Sequence, residues 1–151
     1  MADEVDGTEP GRELVVVTVA GTGALVVTSV AAAAAPDTFG VVHADLSIVL
    51  FLVGTLAMLW AYALGISRSR TEVVDIPGLF LLSGPVAPAP TRRTFRIALA
   101  VEVVAVVAAA SARPFTEVAF GVLAPMYGLG LMGVWGGRYG AFPARPPKQA
   151  S

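Results

Sequence analysis

Four blocks of this chain, 14–35, 45–66, 94–112 and 117–136, are apolar almost throughout. A helix needs about 20 such residues to cross the hydrocarbon core of a bilayer. In lipid, only a helix or a closed barrel satisfies every backbone polar group, so each block is expected to be a spanning helix. Composition agrees: 56% of residues are hydrophobic and 14% charged, against roughly 45–50% and about 25% in a soluble domain. The expected fold is all-α, a bundle of four transmembrane helices in up-down order.

Between the blocks the sequence is polar or broken. Residues 1–13 are acidic and interrupted by Gly7, Pro10 and Gly11, and are expected to form a disordered tail. The first block is too long, and its leader too acidic, for a cleaved secretory signal, so it reads as an uncleaved anchor that Pro36 ends. A short connection, 36–44, carries His43 close to Asp37 and Asp45. It is expected to be a solvated loop, because these residues lack a recognised metal-ligand spacing and predict no metal site. The connection 67–93 holds "GLFLLSG", too short to span and read as an interfacial or re-entrant anchor of the protein to its own membrane. The basic, proline-rich tail 137–151 is expected to be unstructured. The transmembrane domain is thus 14–136.

Basic residues fix the expected orientation. Arg12, Arg68, Arg70, Arg92, Arg93, Arg96, Arg138, Arg145 and Lys148 fall on the face shared by both termini, and Arg113 stands alone on the other. Positive charge is retained in the cytoplasm, so both termini are expected there. Trp60, Tyr62, Trp135, Tyr139 and Phe142 lie toward that face as an aromatic belt, with Phe39 and Phe115 toward the other.

Helices in lipid associate through small residues that let backbones approach. Gly54, Ala57, Ala61 and Gly65 share one face of the second span, and Gly133 and Gly137 form a GxxxG pair in the fourth, read first as packing within the bundle. Pro125 cannot donate to the carbonyl of Gly121 and is expected to kink the fourth helix.

Glu102 is the one carboxylate inside a span core, in "LAVEVVAVVAA". Seven Ile, Leu and Val residues between Arg96 and Arg113 contribute about −0.3 to −0.6 kcal/mol each, which roughly cancels the +2.5 to +3.5 kcal/mol of one central acid. This span is marginal alone, and Glu102 is expected to face its neighbours, largely neutral. At about 1.5 Å per residue it lies roughly 9–12 Å from the basic face. Thr22, Thr55 and Tyr127 fall near that depth and complete a candidate polar cluster. Three roles follow for the carboxyl: an interhelical hydrogen bond, a pairing with a partner protein, or proton or cation exchange. Small multidrug-resistance transporters share the size and the single membrane glutamate, but theirs lies in the first helix, where this chain has none.

Other chemistry is sparse. The chain has no cysteine, which excludes disulfides and thiolate sites. No phosphate-binding glycine loop, zinc-protease motif or nucleophile elbow occurs. A net charge of −1 gives no field for nucleic acid. No catalytic residue, cofactor or enzyme activity is expected. The stretch "RPFTEVAFGVLAPMYGLGLMGVWGGRYGAFPAR", 113–145, with "GLFLLSG" upstream, resembles small conserved membrane proteins of actinobacteria. That resemblance implies a membrane location and an actinobacterial source and carries no activity. The expected role is a non-catalytic accessory or assembly subunit in the inner membrane, packed against another membrane protein or itself. The alternative is a small proton- or cation-coupled transporter with Glu102 as the exchange site.

Overall fold

Small residues decide how closely these helices meet, and the computed structural model, which describes residues 9–146, shows where. The elements are α1 (Arg12–Ala34), α2 (Pro36–Arg68), the short α3 (Ile76–Leu81), α4 (Ala89–Ala112), a 3-10 segment (Glu117–Leu123) and α5 (Met126–Tyr139). Four helical segments, Arg12–Ala34, Pro36–Arg68, Ala89–Ala112 and Glu117–Tyr139, are long and apolar enough to cross a membrane. The fourth is the most enclosed of them, with α2, α3, α1 and α4 around it.

Several boundaries differ from the sequence expectation. The segment 36–44 is helix, not loop, because Pro36 sits in the first turn of α2, where its fixed φ and missing N–H cost nothing. A single residue, Ala35, therefore separates α1 from α2. The third span starts at Ala89, ahead of the expected 94, with Pro90 again in the first turn. The fourth is two pieces, since Pro125 stands ahead of α5, and the half before it winds as a 3-10 helix.

The connection after α2 belongs to the core. Leu79, Phe80, Leu82 and Val86 are buried, and a Cβ on Gly133 or Gly136 of α5 would collide with Phe80 or with the Leu79 carbonyl. Those glycines let α3 lie directly on α5 with Leu79 and Phe80 turned into protein, while Ile76 and Leu81 stay exposed on its outer side. Asp75 caps α3 by accepting from the Gly78 N–H at 3.0 Å.

The C-terminal tail is likewise built in as far as it is described. Residues 137–139 continue α5, and beyond it the N–H groups of Val73, Ala141 and Arg145 donate to the carbonyls of Pro143, Val86 and Thr71. This run clamps the connection onto the bundle end, correcting the expectation of an unstructured segment from 137. Arg68 completes the clamp: it pairs with Glu72 at 2.7 Å, reaches the carbonyls of Gly136 and Gly137, and lies over the Phe142 ring. A cation at the last carbonyls of α5 is where the helix dipole favours one. Of the expected acidic tail, Glu9–Gly11 form a turn into α1; residues 1–8 and the end of the basic tail, Lys148 included, lie outside the described residues.

The seam on α2 is a set of close approaches. A Cβ on Gly54 would strike the Met126 and Tyr127 backbone, and one on Gly130 would strike the Gly54 carbonyl and Ala57. Farther down, Gly133 meets Ala61, Gly137 meets Leu64 and Gly65 meets Leu79. Both members of the GxxxG pair are thus occupied inside the bundle. Trp135 is also internal, 2% exposed. Its indole N–H donates to the Pro10 carbonyl and its ring packs on Phe95 and Tyr139, so it is core and not part of an aromatic belt. Trp60 and Tyr62 remain exposed on α2.

Candidate functional site

The buried face of α4 reads Phe95, Ala98, Glu102, Val106 and Ala109, a helical stripe that turns Glu102 inward. The facing stripe of α1 reads Thr18, Thr22, Leu25, Ser29 and Ala32, and it is unusually polar. Where the two cross, the hydroxyl of Thr22 lies 2.7 Å from Glu102 Oε1. The same hydroxyl lies 2.9 Å from the Thr18 carbonyl, and Thr18 in turn bonds the Leu14 carbonyl. A threonine hydroxyl has one hydrogen and can accept another. The Thr22 hydrogen therefore goes to Oε1 when the carboxyl is ionised, and to Thr18 O when a protonated carboxyl donates to Thr22 Oγ1; the Thr18 hydroxyl makes its own separate bond to Leu14 O.

The second carboxyl oxygen faces the break in the fourth segment. A Cβ on Gly128 would lie 2.5 Å from Oε2, so glycine is what makes room for the side chain. Because α5 starts afresh after Pro125, its first-turn N–H groups have few partners. Tyr127 N–H turns back to Ala124 O and Leu129 N–H to Pro125 O, while Gly128 N–H faces the carboxyl. Oε2 itself stays outside hydrogen-bond geometry. Glu102 is fully buried and sits against the start of α5 without a hydrogen bond to it.

The remaining members of the expected cluster go elsewhere. Tyr127 is buried beside α1, but its hydroxyl donates to the Val17 carbonyl at 2.6 Å, with the ring against Gly21. Thr55 is half-buried on α2 and bonds its own helix at Phe51 O.

His43 is a buried polar group that the sequence reading placed in solvent. It is fully buried, whereas Asp37 and Asp45 point outward, so the three do not converge. Its Nδ1 meets the Thr28 hydroxyl at 3.2 Å. Its Nε2 has no hydrogen-bond partner and lies against Gly121, where a Cβ would come within 2.5 Å of it. The signal was present in the sequence: His43, Ser47, Leu50 and Gly54 continue the α2 seam upward at helical spacing. Glu102 and His43 thus approach the broken segment at two glycines, Gly128 and Gly121, one on each side of Pro125. Each leaves a buried polar atom unpartnered, at a cost of about 1–3 kcal/mol.

Chemically, the arrangement sets a carboxyl and an imidazole, each with one unpartnered polar atom, against the two halves of the broken segment. No protein-family model, curated protein or solved structure matches the chain.

Proposed function

We propose that the chain is a multi-pass protein of the inner, cytoplasmic membrane of an actinobacterium, with both termini in the cytoplasm. Its role on this reading is that of a non-catalytic accessory or assembly subunit that packs against another membrane protein. One observation carries the reading: the polar groups of the bundle are turned inward and enclosed, while α1, α2 and α4 present broad apolar faces outward. Val27, Val30, Leu56, Leu59 and Val104 are all more than 60% exposed. Specific contacts within the membrane are then made by these outer faces and not through an internal site. The nine-to-one division of basic residues supports the orientation.

The test is capture from native membranes through a tag on the C-terminus. A second membrane protein recovered in fixed stoichiometry, and retained by Glu102→Gln, is the expected result. A self-dimer alone would overturn the reading.

A second reading has its own support. Intramembrane carboxyls often exchange protons or cations, and interrupted helices line many transport sites. Glu102, with one free oxygen beside the break before α5, has both features. On that reading the protein is a small proton- or cation-coupled transporter and Glu102 its exchange site.

A further inference from the structure

The seam between α1 and α4 contains two adjoining compartments. At the end where these helices begin, a cavity of about 440 Å³ is bordered by Glu9, Arg12, Val15, Pro90, Thr91 and Thr94. Below it runs an apolar groove of about 530 Å³ between Val19, Gly23 and Val27 of α1 and Ile97 and Val101 of α4, with Thr22 in its wall. Thr94 borders both, so the two spaces adjoin along α4.

The cavity above is lined by charged and polar groups that form no ion pair among the described residues. Arg68–Glu72 is the ion pair found among the described residues, and neither Arg12 nor Glu9 joins one. Thr91 is 7% exposed and lines the cavity. The start of α4 at Ala89 has no side-chain cap; Pro90 has no N–H and Arg92 N–H turns back to Pro88 O, so the Ala89 and Thr91 N–H groups are left to favour an anion. Below, Val19 to Val27 covers about 12 Å of helix, close to the roughly 15 Å of hydrocarbon in one leaflet.

We propose that this seam binds one glycerophospholipid. Its phosphate lies between Arg12, the Thr91 hydroxyl and the uncapped start of α4, and one acyl chain fills the groove. An amphiphile fits because the charged compartment sits directly over an apolar one of leaflet depth; a transmembrane partner helix needs no phosphate-sized polar pocket at its end. Glu9 on the rim favours a headgroup that carries an amine. The bound chain covers Thr22 from the lipid side and closes the remaining wall around the Thr22–Glu102 hydrogen bond.

The experiment uses the full chain, delipidated in mild detergent and placed in nanodiscs of phosphatidylcholine doped with phosphatidylethanolamine or phosphatidylglycerol. Native mass spectrometry counts the retained lipids. One phospholipid per chain is expected, with phosphatidylethanolamine preferred and the preference levelled by Glu9→Gln. Arg12→Gln should weaken retention at least tenfold. Gly23→Leu fills the groove where a Cβ meets nothing within 4 Å, so it should fold normally and lose the lipid. Retention unchanged in both Arg12→Gln and Gly23→Leu would overturn the proposal. So would equal occupancy by inorganic phosphate in place of lipid, or crosslinking of Gly23→Cys to a second protein's helix.

Discussion

Glu102 meets a different helix at each of its two carboxyl oxygens. One oxygen bonds the Thr22 hydroxyl of α1, and the other rests on a glycine at the start of α5. Filling that glycine should therefore be costly in proportion to the carboxyl it displaces. Gly128→Ala is expected to destabilise the protein by about 1–3 kcal/mol, as overpacked sites do. Its cost should shrink in a Glu102→Ala background, where the space is vacated; a coupling of about 0.5–3 kcal/mol is typical of touching residues. Unfolding in mixed micelles measures the cycle, and strict additivity would show that the two do not meet. Glu102→Gln, neutral and of the same shape, should fall within about 1 kcal/mol of the parent because the Thr22 hydrogen bond survives.

At the scale of elements, the bundle depends on α5 lying against α2 and α3 with almost no side chain between them. Gly54→Leu drives a side chain into the Met126 backbone, which a helix cannot move aside. This variant should lose the monodisperse peak of the folded protein in detergent, whereas Gly23→Leu, on an open face, should keep it. Equal behaviour of the two would contradict the seam. The spans were readable in sequence because hydropathy accumulates over about 20 residues and survives errors at single positions. What failed were features decided by one residue or by distant pairing. Pro36 ends α1 but also starts α2, so the same residue erased the expected connection and carried His43 into the interior. The tail pairs through backbone groups with Thr71, Val73 and Val86, far back in the sequence, and composition is silent about such bonds. Depth counting brought Thr22 to Glu102 correctly. It failed for Thr55, because depth ignores the direction a residue faces, and Thr55 stands one position round the helix from the Gly54 seam.

For the whole molecule, the proposed orientation rests on charge, and the absence of cysteine makes it simple to test. Ser69→Cys, after α2, should react with an impermeant maleimide only when the cytoplasmic side is opened. Thr116→Cys, between α4 and the 3-10 segment, should react in intact cells; the reverse pattern would invert the topology. The larger question is whether the enclosed carboxyl serves the bundle or a moving ion. In an accessory subunit Glu102 is an internal packing group, enclosed by α1 and α5 and hydrogen-bonded to Thr22. Proton flux in proteoliposomes under an imposed pH gradient separates the two roles most directly. The accessory role predicts that wild type and Glu102→Gln leak protons at the same background rate as empty vesicles. A flux above background that Glu102→Gln abolishes, with the variant still folded, would contradict it and establish the carboxyl as an exchange site.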